Sequence, residues 1–130
     1  MSMKTNNKTV TMYRPCGQKE MDLVKMSGYK KWPPRLPDQD IFYPVTNEAY
    51  AHEVNEWNVK QFGIGYVTRF EVKSSFIEQY KIEVVGGSNH TEWWIPAADL
   101  EQLNNNIIGK IEVIAKKSKS DRSAIDLNKE

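Results

Sequence analysis

The chain has 130 residues, of which 39% are hydrophobic and 27% charged, so its length and composition indicate one soluble globular domain. The formal net charge of +1 gives no overall field that would attract nucleic acid or an anionic membrane. No run of about 18 apolar residues is present, and the first ten residues lack the apolar segment of a secretory signal. The single cysteine, Cys16, cannot form an internal disulfide. We therefore expect a cytoplasmic protein without a membrane span.

The two ends of the chain differ in composition from its middle. Residues 1–8 are polar, and residues 116–130 carry many charges and few apolar side chains. Segments of this composition bury too little apolar surface to offset the entropy lost on ordering. We therefore expect a flexible N-terminus over residues 1–8, one folded domain over residues 9–115 and a charged flexible tail over residues 116–130.

Secondary-structure patterns follow one another along residues 9–115. Short runs rich in β-branched and aromatic residues predict strands, and apolar residues spaced three or four apart predict helices. The predicted strands cover residues 9–14, 41–45, 65–72, 81–85, 91–96 and 107–115. The predicted helices cover residues 18–28, 46–58, 75–80 and 96–106. Together these elements indicate a single-domain α+β fold with a mostly antiparallel or split sheet and short helices.

The helix predicted over residues 46–58 has the clearest pattern. Thr46 or Asn47 is expected to cap its first turn, because a short polar side chain accepts a hydrogen bond from a free backbone N–H group there. Tyr50, Val54 and Trp57 fall at spacings of four and three residues, so they share one face of the helix.

Glycine and proline mark the expected boundaries of other elements. Gly28 is expected to follow the first helix as its left-handed C′ residue. Gly86 and Gly87 predict a hairpin turn or another tight connection between the strands on either side, and Pro96 is expected at the first position of the last helix. Alternation along residues 65–72 points one set of side chains to a common face: Tyr66, Thr68, Phe70 and Val72.

Two arginines close to turns are candidates for ligand contacts. Arg14 follows Tyr13 at the end of the first strand, and strand ends and the loops after them commonly bind ligands. Arg35 lies in the proline-rich stretch WPPRLP (residues 32–37), whose stiff backbone presents a side chain at low entropic cost. A guanidinium can bind a phosphate or a carboxylate through two parallel hydrogen bonds. The structural alternatives are an Arg14 paired with a nearby acid and a rigid loop packed on Trp32.

The stretch TEWWIP places a carboxylate beside two tryptophans. Strand alternation puts Glu92 and Trp94 on one face, and Trp93 and Ile95 on the other. His90 falls on the Glu92 face if the strand begins that early. A partly buried carboxylate next to a large aromatic side chain needs a hydrogen-bonding partner to stay charged. Glu92 is therefore either a solvent-facing residue of an edge strand or a working carboxylate at the rim of a pocket.

Phe42 and Tyr43 lie on a short strand ahead of the capped helix, so they face opposite ways. One of them is expected in the core, while the other can pack in the core or stack on a planar ring such as nicotinamide or adenine. The two histidines and one cysteine show no metal-ligand spacing. The standard nucleophile, phosphate-loop and dinucleotide motifs are absent from the sequence.

Four of these stretches occur in the order found in a known family. TMYRPCG, IFYPVTNEAYAHEV, GYVTRFEV and TEWWIPAADL together resemble a small bacterial family labelled "ADP-ribosylation/crystallin J1". The resemblance extends over residues 9–115. The arrangement also resembles a minimal ADP-ribosyltransferase fold, which has an arginine or histidine on its first strand, an aromatic or serine on a middle strand and a glutamate on a later strand.

The resemblance implies which residues build a site. Arg14, preceded by Tyr13, corresponds to the first-strand position, and Tyr43 corresponds to the middle-strand aromatic residue. Glu92 corresponds to the glutamate that stands ahead of a hydrophobic–Pro pair. The implied catalytic residues are Arg14, Tyr43 and Glu92. The implied nucleotide-binding residues are Tyr13, Arg14, Arg35, Tyr43 and Trp94.

The same resemblance implies NAD+ as substrate and cleavage of its nicotinamide–ribose bond. Glu92 would bind the ribose 2′-hydroxyl and stabilise an oxocarbenium-like transition state through positioning and charge. Arg14 would hold a phosphate or the ribose, Tyr43 would stack on nicotinamide, and Arg35 would clamp the diphosphate. The acceptor of the ADP-ribose group is not indicated by the sequence.

The set Arg14, Tyr43 and Glu92 is not one of the standard triads of the superfamily. A non-catalytic module of the same fold that binds a nucleotide or a protein therefore stands as the alternative. The small size and low net charge also fit a structural or immunity-type partner protein. An enzyme is expected to release nicotinamide, whereas the partner protein is expected to bind no nucleotide.

Overall fold

A computed structural model of the chain describes residues 8–119. The strands are β1 (Thr9–Cys16), β2 (Ile41–Phe42), β3 (Ile64–Lys73), β4 (Ile82–Val84), β5 (Thr91–Trp93), β6 (Ile95–Pro96) and β7 (Ile107–Ser118). The helices are α1 (Gln18–Met26), α2 (Glu48–Phe62), α3 (Ser74–Ile77) and α4 (Leu100–Asn105), and a 3-10 turn (Ala97–Asp99) precedes α4. None of the helices in the described part is long and apolar enough to cross a membrane.

The strands form antiparallel sheets, so the predicted α+β class with antiparallel pairing is confirmed. The main sheet has the order β1-β3-β7, while β4 pairs with β5 and β2 pairs with β6. Val45 links the β4–β5 pair to the main sheet, because it forms bridges to both Tyr13 of β1 and Glu92 of β5. The Tyr13 and Val45 backbones exchange hydrogen bonds of 3.0 and 2.7 Å. Residue Glu92 is therefore tied to β1 through one intervening residue.

The main sheet separates two apolar clusters. The larger cluster lies on the α1 side and contains Met12 and Phe70 of the sheet together with Trp32 and Phe42. The smaller cluster lies on the α2 side and consists of Val45, Ala51 and Val67, with Tyr13 and Tyr50 packed against it. Side chains of neighbouring strand residues point to opposite faces, so each candidate residue belongs to one side only.

Helix α2 packs on the sheet through a face that the spacing of Tyr50, Val54 and Trp57 does not identify. Its buried residues are Ala51, Asn55 and Val59, whereas Trp57 is 58% exposed. The face shared by Tyr50, Val54 and Trp57 is therefore not the one that is buried against the sheet. The physical reason is close approach: Gly65 of β3 has no Cβ atom, which leaves room for Asn55 and Asn58 of α2 to lie against it.

Gly65→Ala is expected to reduce the free energy of unfolding by about 1–3 kcal/mol, the usual cost of overpacking. A Cβ atom at Gly65 would lie 2.9 Å from Cγ of Asn55 and 3.0 Å from Cβ of Asn58. Asn55 is fully buried, so it cannot move aside into solvent. Urea denaturation measures the change.

Gly87→Ala is the matched control for that substitution. The nearest atom to a new Cβ at Gly87 is Oδ1 of Asn89 at 3.8 Å, which is an ordinary contact. We expect the free energy of unfolding of this variant to differ from that of the wild type by no more than about 0.5 kcal/mol. Equal unfolding free energies for the two variants would contradict the packing of α2 on Gly65.

Several sequence predictions about boundaries are confirmed. Asn47 caps α2 through a side-chain oxygen that accepts from the Tyr50 backbone N–H at 2.8 Å. Gly28 follows α1 with φ of +79°. The strands on either side of Gly86 and Gly87 pair with each other as β4 and β5. The four alternating residues of β3 are buried: Tyr66, Thr68, Phe70 and Val72.

Other boundaries differ from the predictions. Pro96 does not begin a helix: it ends β6 opposite Ile41, and α4 starts only at Leu100. A proline can lie in such a two-residue strand because it needs no N–H donor there. Strand β7 runs to Ser118, three residues into the predicted tail, and pairs there with the start of β3. The predicted flexible ends otherwise fall on residues 1–7 and 120–130, outside the described residues.

Candidate functional site

Glu92 lies on β5 with each carboxylate oxygen accepting a hydrogen bond. The hydroxyl of Tyr50 on α2 donates to Oε2 at 2.9 Å, and Nε1 of Trp94 donates to Oε1 at 2.9 Å. Strand alternation explains the second contact, because residues 92 and 94 point to the same side. Both donors fix the orientation of the carboxylate. Glu92 is only partly buried, so its remaining acceptor positions are open to a ligand.

Two half-exposed aromatic rings stand beside this carboxylate. Tyr43 and Trp94 meet edge to face, with ring centroids 6.4 Å apart and an interplanar angle of 83°. Their residues are 43% and 44% exposed, while Phe42 is fully buried in the larger cluster. The prediction that one of the two neighbouring aromatics enters the core is therefore confirmed for Phe42. We call Tyr43, Tyr50, Glu92 and Trp94 the Glu92 cluster.

Residues behind Tyr50 support its position. The His90 ring stacks on the Tyr50 ring at a centroid distance of 4.6 Å, and Nε2 of His90 lies 2.9 Å from Oε1 of Glu53. Burial and then the hydrogen bond to Glu92 raise the pKa of Tyr50 to about 12. Tyr50 is therefore protonated at neutral pH and donates its proton to the carboxylate.

Arg14 lies in a different cluster and is already paired. Its Nε and Nη2 atoms donate to the two carboxylate oxygens of Glu20 at 2.5 and 2.9 Å. The guanidinium carbon is 4.4 Å from the Phe42 ring centroid, and the two charged side chains are only 11% and 19% exposed. Burial alone lowers the pKa of Arg14, but attraction and hydrogen bonding from Glu20 raise it overall. Arg14 is therefore paired with a nearby acid, which is the structural alternative expected from the sequence, although the pair is buried rather than on the surface.

Arg35 joins this pair and forms what we call the arginine cluster: Arg14, Glu20 and Arg35. Nη1 of Arg35 lies 3.7 Å from Oε1 of Glu20, and its side chain is 11% exposed. Burial, followed by repulsion from Arg14, lowers the pKa of Arg35. The guanidinium carbon of Arg35 lies 5.7 Å from the ring centroid of Phe42, the residue that immediately precedes Tyr43 in the chain.

The structure brings Glu92, Trp94 and Tyr43 together but separates them from Arg14. Directly paired residues in a sheet share a face, so the bridges through Val45 place Glu92 on the same side as Tyr13. Arg14 follows Tyr13 and therefore points to the other side, where it packs on Trp32 and Phe42. Tyr13 is partly buried against the smaller apolar cluster.

The chemistry available at the Glu92 cluster is that of a fixed carboxylate on an aromatic surface. Burial raises the pKa of the Cys16 thiol to about 12, so this cysteine is not an activated nucleophile. Within residues 8–119, His, Cys, Asp and Glu side chains form no group of three or more that could hold a metal ion.

Sequence reasoning missed two residues that shape these clusters. Tyr50 reaches Glu92 from 42 residues away, and no local pattern signals such a contact. Glu20 stands six residues after Arg14 in the first turn of α1, which is a usable signal because an acid is favoured there. No family model, curated protein or solved structure matches this chain.

Proposed function

We propose that this protein binds NAD+ at the Glu92 cluster and cleaves its nicotinamide–ribose bond, as ADP-ribosyltransferases do. The observation that carries the proposal is the carboxylate of Glu92, held by Tyr50 and Trp94 beside two half-exposed aromatic rings. A planar nicotinamide ring can stack on such a surface, and the ribose attached to it would then meet the carboxylate.

The proposed reaction needs little more than positioning and charge. The bond between C1′ of the ribose and the nicotinamide nitrogen breaks, its electron pair leaves with nicotinamide, and positive charge develops on the ribose. Glu92 accepts a hydrogen bond from the 2′-hydroxyl and stabilises that charge. The carboxylate has about four acceptor positions, and Tyr50 and Trp94 use two of them. An acceptor hydroxyl, amine or water then attacks C1′ and loses a proton to the solvent.

The arginines take different roles in this proposal. Arg35 packs on Phe42, the residue before Tyr43, and is assigned to the diphosphate, whose negative charge complements a guanidinium. Arg14 is a positioning residue: its paired contact with Glu20 holds the carboxylate that Arg35 approaches. The Tyr13 backbone is hydrogen-bonded to Val45, which in turn bridges to Glu92.

Tyr43→Ala is expected to weaken NAD+ binding about tenfold, because stacking of a base on an aromatic side chain contributes about 1–3 kcal/mol. The wild-type protein should gain about 2.7 kcal/mol of stability at an NAD+ concentration one hundred times Kd. Isothermal calorimetry and thermal denaturation with NAD+ measure the two quantities.

Trp57→Ala is the matched control for the aromatic surface. Trp57 is an exposed aromatic residue that packs on Phe62, outside the Glu92 cluster. Its removal should leave NAD+ affinity unchanged. The proposal fails if wild-type protein shows neither heat of binding nor thermal stabilisation at millimolar NAD+, or if both variants bind like the wild type.

A non-catalytic nucleotide-binding module is the second candidate. It is favoured by the separation of Arg14 from Glu92 and by the engagement of Arg14 with Glu20. Such a module would bind NAD+ at the same aromatic surface but release no nicotinamide. Chromatographic detection of free nicotinamide after prolonged incubation therefore separates the two candidates.

A further inference from the structure

A cavity of about 570 Å³ opens between the N-terminal turn of α1, the proline-rich loop and the end of α2. Part of its lining is apolar and accessible: Leu36 and Phe62 are 57% and 63% exposed, and Leu23 and Ile64 lie alongside. Cavities of this size commonly hold small organic molecules, whose apolar body packs against such residues. The cavity is on the α1 side of the sheet, away from Glu92.

The polar wall of this cavity carries unbalanced positive charge. Arg35 and Lys19 line it, and Arg35 shares the single carboxylate of Glu20 with Arg14. Two guanidinium charges therefore face one carboxylate in a poorly hydrated region. The Nε atom of Arg35 is buried and has no hydrogen-bond partner among the described residues. Buried donors are normally satisfied, and a desolvated cation normally has a full counter-charge.

We infer that this cavity binds a small organic anion, a carboxylate or a phosphate ester with an apolar body, through the guanidinium of Arg35. The anion supplies the second negative charge that the two arginines lack. The N-terminal turn of α1 carries a partial positive charge and lines the same cavity, which favours an anion further. The carboxylate of Glu20 keeps Arg35 in place without neutralising it completely.

The cavity lies apart from the carboxylate that would cleave NAD+, because none of its lining residues belongs to the Glu92 cluster, but it shares Arg35 with the proposed diphosphate contact. If NAD+ also binds as proposed, its diphosphate and the organic anion compete for Arg35. Glu92→Gln should then lower the rate of nicotinamide release by about 10²–10³-fold while leaving anion binding unchanged. Failure of one proposal is thus distinguishable from failure of the other.

Phenyl phosphate and benzoate are the probes for calorimetric titration of the full chain. We expect one or both to bind more tightly than inorganic phosphate, while uncharged benzyl alcohol binds weakly. Preference for phenyl phosphate or for benzoate shows which anion the site takes. Arg35→Gln should raise the Kd of the bound probe about tenfold or more, as expected when a charged hydrogen-bonding partner is removed. Arg69→Gln, which removes an exposed arginine on β3, is the matched control and should leave that Kd unchanged.

Leu36→Ser keeps the inference testable if Arg35→Gln does not fold. Leu36 is exposed, so its replacement costs little stability. It should weaken phenyl phosphate or benzoate but leave inorganic phosphate unaffected, because only the apolar contact is lost. The inference is overturned if neither aromatic anion binds at millimolar concentration, or if affinity is the same in wild type, Arg35→Gln and Leu36→Ser.

Discussion

Glu92→Gln is expected to lower the rate of nicotinamide release from NAD+ by about 10²–10³-fold, the usual effect of removing one electrostatic group that stabilises a transition state. Glutamine keeps the size of the side chain and can still accept the hydrogen bond from Tyr50 or Trp94. It lacks the negative charge that stabilises the developing cation on the ribose. NAD+ affinity should therefore change far less than the rate. Release is measured by chromatography of free nicotinamide at saturating NAD+.

Glu112→Gln is the control for charge alone. Glu112 pairs with Arg69 on the exposed surface of β3 and β7, at a side-chain exposure of 60%. Its replacement should leave nicotinamide release unchanged. If a folded Glu92→Gln protein releases nicotinamide at the wild-type rate, Glu92 has no role in the reaction.

Glu20→Gln is expected to reduce the free energy of unfolding by about 3–5 kcal/mol, as when one partner of a buried ion pair is removed. Two largely buried arginines, Arg14 and Arg35, would then face each other without a carboxylate between them. Denaturant titration at neutral pH measures the loss. Asp22→Asn on the same helix is the control, because Asp22 is exposed and should change stability by no more than about 0.5 kcal/mol.

Measuring the unfolding free energies of wild type and Glu20→Gln at several pH values tests whether the loss of stability comes from the charge of Glu20. Burial alone raises the pKa of Glu20, but attraction and hydrogen bonding from Arg14, with a contribution from Arg35, lower it overall. A carboxylate with a depressed pKa stabilises the fold above its unfolded value, near about 4.3, and this stabilisation is lost as the pH falls through the folded value. The difference in free energy of unfolding between wild type and Glu20→Gln should therefore become smaller below about pH 4. A difference in unfolding free energy that does not change with pH would contradict the ion pair.

Local patterns predict those parts of the fold that depend on neighbouring residues. Alternation along β3 and β5 identifies the buried and exposed faces, including the shared face of Glu92 and Trp94. The cap at Asn47 and the left-handed Gly28 also follow from local backbone geometry. These features need no knowledge of distant residues, which explains why the sequence is sufficient for them.

Packing between distant segments is not visible in the same way. The buried face of α2 depends on how closely the helix approaches Gly65, and the support of Glu92 depends on Tyr50 from that helix. Spacing groups Trp57 with Tyr50 and Val54, although Trp57 is exposed and the buried residue of that turn region is Ala51. The burial of Arg14 depends on Trp32 and Phe42, which arrive from separate segments and cover its guanidinium.

The two clusters divide the candidate residues by physical role. The Glu92 cluster combines a fixed carboxylate with exposed rings, which suits chemistry on a bound ring and sugar. The arginine cluster is buried and carries surplus positive charge, which suits stability and anion binding. The two clusters are connected along the chain by neighbouring residues: Tyr43 packs on Trp94, and Phe42 before it packs on Arg14 and Arg35.

The most direct test of NAD+ binding at Glu92 is a titration followed through the tryptophan indole N–H signals in ¹H–¹⁵N NMR spectra. The chain has four tryptophans, and only the indole of Trp94 donates to Glu92 among the described residues. We expect NAD+ to shift the Trp94 signal in a saturable way while the signal of Trp57 stays constant. No shift of Trp94 at millimolar NAD+, or a shift confined to Trp57, would contradict the proposed site.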